Sequence, residues 1–205
     1  IEVIPWEQEA GLMIKGVLWK LPNTEKDILA FDIGGGSTEF ILARDRKIIS
    51  AFGTLLGSIR LTEKFISRHP IDISEYKLLE VFLRRELREV KNKLSDFPPE
   101  LLLGTAGTVT TLAAIDENIY PYDSEKVHGK SITFKRVEEI LETLKRKSLD
   151  ERLAMRTIEK GREDLIIAGG ALTLEIMRIF NCKLLTISDY GLREGLVLDA
   201  LNQEC

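Results

Sequence analysis

The stretch Ile28-Leu29-Ala30-Phe31-Asp32-Ile33-Gly34-Gly35-Gly36-Ser37-Thr38-Glu39-Phe40-Ile41-Leu42-Ala43 decides how the chain is read. Ile28 to Phe31 is an apolar run of the buried-strand kind that ends at Asp32, and Ser37 to Ala43 is a second run. Strand, glycine turn and strand predict a hairpin. Glycine tolerates positive φ, so the amides of Gly34, Gly35 and Gly36 can point into one concavity of the type that binds phosphate. Ser37 and Thr38 add hydroxyl donors. Asp32 stands at the strand mouth, where a carboxylate can hold Mg²⁺ directly or through water. Alternation puts Ser37, Glu39 and Ile41 on one face, which leaves Glu39 polar among apolar neighbours. A glycine hairpin can also exist without any ligand, but the whole string from Asp32 to Glu39 is more specific than its glycines.

Composition bounds the remaining choices. The chain has 205 residues, 44% hydrophobic and 30% charged, enough for one good core in a globular protein. Its net charge of −4 provides no global field for a polyanion, which argues against a nucleic-acid partner and requires any anionic substrate to be held locally. Cys182 and Cys205 are far apart and form no zinc or disulfide pattern, so a reducing cytoplasm is expected. No apolar run reaches membrane-span length, no signal-like segment is visible, and no membrane partner is expected. The chain begins Ile1-Glu2-Val3-Ile4, without Met, as if in mid-strand, which suggests a domain cut from a longer protein.

In chain order, residues 1–4 read as a strand, and a helix follows from about Trp6 to Leu18 with Pro5 at its start. Glu7 and Glu9 fall in its first turn, where acid is favoured by the helix dipole alone. Lys47 to Phe52 reads as a third strand after the hairpin, and Ser58 as the cap of the next helix. A longer helix from Ser74 to about Leu94 carries charges of alternating sign, read as a solvated face rather than a polyanion track. Leu101 to Leu103 is a short strand running into Gly104-Thr105-Ala106-Gly107-Thr108 and a helix to about Ile115, a second anion-binding turn at a helix N-terminus. Residues 116–130 are a loop, and His128 in it is read as an ordinary loop histidine rather than a catalytic one. Helices follow from Phe134 to Lys147 and from Leu149, with Ser148 as cap. A long helix over 163–180 is interrupted by Gly169-Gly170, a pair expected to admit a ligand or another backbone. Leu184 to Ile187 is a strand, and Ser188-Asp189-Tyr190-Gly191 turns into the last helix. The expected architecture is a mixed sheet of about five strands with helices on both faces.

Six blocks together name a family: Ile1 to Ile4 with Gln8-Glu9-Ala10, Asp32 to Glu39, Leu56 to Glu63, Gly104 to Thr108, Ala168 to Gly170, and Ser188 to Gly195. In these blocks the chain resembles the exopolyphosphatase/guanosine pentaphosphate phosphohydrolase family. The resemblance implies an α/β fold of the actin-like, ribonuclease H-like class, a mixed sheet flanked by helices. The chain corresponds to the second half of that duplicated fold, one C-terminal domain over residues 1–205 with the N-terminal half absent. By resemblance Glu9 matches the catalytic glutamate, Asp32 and Glu39 the Mg²⁺-associated carboxylates, and Gly34 to Thr38 the phosphate loop. Gly104, Thr105, Gly107 and Thr108 join it as phosphate-binding residues through the second turn. The implied substrate is polyphosphate or a guanosine polyphosphate, the cofactor is Mg²⁺, and the missing N-terminal domain and a second copy of the chain are candidate partners. Pro5-Trp6, Gln8 and Gly11 depart from the pattern, the last replacing a common arginine beside the base.

Two other readings compete. An ATP-dependent kinase of the same superfold would use Gly169-Gly170 for an adenosine pocket and would leave Glu9 unexplained. A nucleotide-sensing domain would be inactive when isolated, and the isolated fragment is in any case expected to be weakly active or inactive.

Overall fold

The computed structural model describes residues 4–22, 24–94 and 98–203. Ile1 to Val3 of the expected first strand lie outside the described residues. Six strands form one sheet: β1 (Asp27–Ile33), β2 (Thr38–Arg44), β3 (Lys47–Thr54), β4 (Leu101–Thr105), β5 (Ser131–Thr133) and β6 (Leu184–Ile187). Their order is β3-β2-β1-β4-β6-β5. β1, β2 and β3 form an antiparallel meander, β1, β4 and β6 run parallel, and β5 closes the far edge antiparallel to β6. Sequence reading missed β5, because three residues give too short a run for alternation to register.

The period of two along β1 sorts side chains into two cores. Leu29, Phe31 and Ile33 join Phe40, Leu42 and Leu102 on one face, and Ile28 and Ala30 join Ile41, Ala43 and Leu103 on the other. Phe31 and Phe40 are fully buried, each burial adding roughly 1.5–3 kcal/mol. The first face is covered by α2 (Ser58–Phe65), α3 (Ile73–Lys93), α4 (Gly107–Asp116), α6 (Phe134–Lys145) and α8 (Leu165–Ile179). The second is covered by α1 (Trp6–Val17), whose Ala10, Met13, Ile14 and Val17 face the sheet. The short helices α5 (Ser124–Val127) and α7 (Leu149–Leu153) lie in connections, α7 opened by a capping box of Ser148 and Glu151.

The last helix, α9 (Leu192–Gln203), packs on α1 at very short range. A methyl placed on Gly16 would fall 1.9 Å from the Gly191 carbonyl oxygen, and one on Gly195 1.8 Å from the Leu12 oxygen. Glycine at both positions is what lets the two backbones touch.

Three expectations are corrected. α8 runs unbroken through Gly169-Gly170, and both glycines are buried in the core. Methyls there would lie 2.5 Å from the Thr108 hydroxyl and 2.5 Å from Leu141 Cδ2, so the pair admits neighbouring side chains and offers no adenosine pocket. Ser58 is the first helical residue of α2 and Gly57 its cap, since the Ser58 amide is taken by the Gly34 carbonyl. The charged face of α3 is not wholly solvated: Arg84 donates from Nε at 3.0 Å and from Nη2 at 3.2 Å to Glu175 of α8, whose side chain is buried.

Candidate active site

The C-terminal ends of the parallel strands β1, β4 and β6 meet at one end of the sheet, where open α/β sheets place their ligands. A cleft of about 380 Å³ lies there. β1 carries Asp32 one residue before its end, β4 ends in Thr105, and β6 leads into Asp189. Asp32 pairs with Thr105 in register on one side and with Glu39 of β2 on the other. The three side chains therefore share a face, the one covered by α1.

That arrangement gathers negative charge. Burial, then Glu39, then Glu9 push the Asp32 carboxyl up to about 6. Glu9, in the first turn of α1, is thus brought to the same point as the sheet carboxylates, although it lies far from them in sequence. The Ser37 hydroxyl donates to Glu39 at 2.6 Å and orients it. Carboxylates held against one another in this way suit a cation. Among the described residues no group of three or more His, Cys, Asp or Glu has ligating geometry. The Asp32–Glu39 pair therefore fits a hard cation that keeps water and phosphate among its ligands, as Mg²⁺ does, rather than one caged by protein.

The glycine loop differs from its sequence reading. None of Gly34, Gly35 and Gly36 has a positive φ, so a left-handed nest is not what requires glycine. Close packing is the reason: a methyl on Gly35 would lie 2.7 Å from Ile59 Cδ1, and one on Gly57 2.2 Å from the Gly35 oxygen. The Gly34 amide donates to the Ser37 carbonyl, and the amides of Ser58 and Ile59 donate to the Gly34 and Gly35 carbonyls. The Leu56–Glu63 block is therefore the support of this loop. The Thr38 hydroxyl is buried and donates to the Leu56 carbonyl, so it is not a free donor to a ligand. Among the described residues, the cleft lining includes none of Gly34, Gly35, Gly36 or Ser37.

The second turn divides in the same way. Thr105 and Gly107 line the cleft. Gly104 is buried among Phe31, Val109 and Leu185, the Thr108 side chain is buried against Gly169, and the Thr105 hydroxyl donates to the Tyr190 carbonyl at 3.1 Å. At their side-chain positions Gly104 and Thr108 thus serve packing, which leaves any phosphate contact there to the backbone. The cap of α4 is Ala106 at φ 69°, and the amides of Gly107 and Thr108 have no acceptor within the helix.

Residues not singled out from sequence complete the cleft: Tyr122, Glu159, Arg162 and Arg193. Arg162 lies directly on the start of α4, its Nη1 occupying the place 1.6 Å from where a Gly107 methyl would stand, and its Nε donates to Glu159 at 2.8 Å. A cation at the positive end of a helix is held against the dipole, and an anion between them satisfies both. Asp189 accepts from the Tyr122 hydroxyl, and burial raises its carboxyl pKa. Arg162 lies in an irregular segment between α7 and α8, where no periodicity could have pointed to it.

The Ppx/GppA phosphatase family matches residues 1–204. The chain is 32% identical over its whole length to a bifunctional 3-dehydroquinate synthase/phosphatase of Fusobacterium nucleatum, covering 31% of that protein. It is 28% identical to exopolyphosphatase 2 of Mycobacterium tuberculosis over 96% of this chain and 63% of the relative. The crystal structure of the Aquifex aeolicus Ppx/GppA family member superposes with a TM-score of 0.90 at 35% identity, covering 99% of this chain and 65% of that one. The chain therefore spans less than two thirds of the length of each of these proteins. Its helix-flanked mixed sheet is the actin-like fold of those structures. With the family match and the backbone superposition each covering almost the whole chain, the chain belongs to the Ppx/GppA phosphatase family.

Proposed function

We propose that the chain forms one wall of a phosphoanhydride hydrolase that releases terminal phosphate from inorganic polyphosphate, from guanosine pentaphosphate, or from both. The observation that carries this reading is Asp32, which lines the cleft beside the uncapped start of α4 with the charges of Glu39 and Glu9 set against its carboxyl. An exopolyphosphatase among the relatives supports it. Phosphoryl transfer needs mainly positioning and charge stabilisation, and these groups supply both.

In this reading Glu9 takes a proton from water as the water oxygen attacks the terminal phosphorus in line. The bridging P–O bond breaks, and the shortened phosphate chain leaves. Asp32 and Glu39 hold Mg²⁺, which offsets charge on the phosphate oxygens when bound. The amides of Gly107 and Thr108 and the Arg162 guanidinium take phosphate oxygens, and the amides from Gly35 to Ser37 face the same end of the sheet. A further domain, N-terminal to this one and belonging to the longer protein, supplies the opposite wall, and the enzyme works in the cytoplasm.

The test is phosphate release by the longer protein. Glu9→Gln should lower turnover about 10²- to 10⁴-fold with KM nearly unchanged. Asp32→Asn should instead raise the Mg²⁺ concentration needed for half-maximal rate. Near-normal turnover of Glu9→Gln at saturating substrate would remove Glu9 as base.

A further inference from the structure

His128 lies outside the cleft yet touches the turn that lines one side of it and the segment that follows α1. Its Nε2 is 2.8 Å from the Trp19 carbonyl oxygen, just past the end of α1. A carbonyl can only accept, so Nε2 carries the hydrogen, and Nδ1 is left with a lone pair. The Asp189 amide donates to that lone pair at 3.4 Å. The ring packs on Tyr190 at 4.3 Å between centroids, and Tyr190 packs on Trp19 at 4.8 Å.

The neighbouring hydrogen bonds agree with this tautomer. Ser188 Oγ stands 3.4 Å from Nδ1, accepts from the Tyr190 amide at 3.2 Å, and has the Val17 and Tyr190 carbonyls within 3.0 and 2.9 Å. The end of α1, the imidazole and the 188–191 turn thus form one half-buried joint around the buried Ser188. On its far side the same turn is held by Thr105, and its Asp189 carboxylate stands in the cleft.

We propose that His128 is a positioning residue: its neutral Nε2–H imidazole ties the end of α1 to the Asp189 amide and so fixes the cleft wall formed by the Ser188–Gly191 turn. Protonation would put an N–H on Nδ1, where the Asp189 amide already points a hydrogen. Two donors would then face each other, the new N–H could turn only to the Ser188 oxygen, and the tie to the Asp189 amide would be lost. The charged groups facing the ring are Asp189 from the β6–α9 turn, which favours the cation, and Lys20 from the segment after α1, which opposes it. Burial, with Lys20 acting in the same direction, outweighs the Trp19 hydrogen bond and Asp189 and lowers the histidine pKa, so the joint is closed at neutral pH. Its contribution to stability is complete above the ordinary histidine value and is lost as pH falls through the lowered one.

The kinetic part of this inference rests on the hydrolase reading, so the first measurement does not use activity. Nitrogen NMR of the folded chain, labelled with ¹⁵N, should show the Nε2–H tautomer at pH 7. On acidification the Asp189 amide should shift with the same midpoint as the His128 ring. An Nδ1–H tautomer, or an Asp189 amide indifferent to that titration, overturns the proposal even if every variant misfolds. The second measurement is the pH dependence of kcat in the longer protein, with His128→Asn, whose side chain cannot titrate. The variant should lose the part of the wild-type acid limb whose midpoint matches the His128 ring titration, while the fall caused by protonation of Glu9 and Asp32 remains. A kcat–pH profile superimposable on wild type with only a lowered Tm would reduce His128 to a structural residue. Absence of hydrolysis by wild type would instead remove the hydrolase reading and leave the NMR result standing.

Discussion

Asp32 is the residue where function and stability oppose each other most directly. Its carboxyl is pushed up to about 6 by burial, Glu39 and Glu9. A raised acid binds its proton more tightly in the folded state, so its stabilising contribution is present below the ordinary aspartate value and disappears as pH rises through about 6. At neutral pH without metal, the ionised Asp32 therefore costs stability. Asp32→Asn should stabilise the metal-free protein by about 1–3 kcal/mol at pH 7.5, with the difference shrinking toward pH 4. Urea titrations at the two pH values would check this, and a variant less stable than wild type at pH 7.5 would contradict it. Charge identity alone could not have revealed the effect, since Asp32 and Glu9 become neighbours only on folding. Arg152 makes the same point in the opposite direction. It is a charged residue that composition assigns to the surface, yet it is 0% exposed, its Nη2 against His69 Nδ1.

At the scale of the element, α1 carries two interior glycines with opposite roles. A methyl added to Gly11 would meet no atom within 4 Å, so the glycine only weakens the helix. Gly16 lies in the crossing with α9, where a methyl would meet the Gly191 carbonyl. Gly11→Ala should raise stability by up to about 1 kcal/mol, the helix-propensity difference. Gly16→Ala should lower it by about 1–3 kcal/mol, the cost of overpacking, and should loosen α9. Thermal denaturation of the pair is the check, and equal shifts in Tm would show that the crossing is not tight. A sequence read element by element sees both residues as the same helix-weakening glycine. The Leu56–Glu63 block was legible as a helix start but not as a clamp, because its partner carbonyls at Gly34 and Gly35 belong to another element.

For the whole molecule, the cleft is bounded by strand ends and α4 on this chain, and the chain spans less than two thirds of the relatives' length. If a further domain supplies the opposite wall, phosphate release from polyphosphate should be weak with this chain alone. It should rise at least tenfold when the preceding domain of the longer protein is added, covalently or in trans. Equal turnover with and without that domain would show that the site is complete here. No described helix is long and apolar enough to cross a membrane.

Local chemistry determined the strands other than β5, most helices and the hairpin with its carboxylate at each end. Alternation, capping residues and apolar runs act over a few residues and can be read there. The same chemistry pointed to Asp32 and Glu39, the family resemblance pointed to Glu9, and the fold sets the charges of Glu39 and Glu9 against Asp32. Only tertiary structure decided why the glycines are where they are: Gly35, Gly57, Gly104, Gly169 and Gly195 are each set by an atom of a distant segment or of another element. Tertiary structure alone also placed Arg162 on the start of α4 and His128 between α1 and Asp189. Contacts of that kind depend on where the chain returns to in space, which no window of sequence contains.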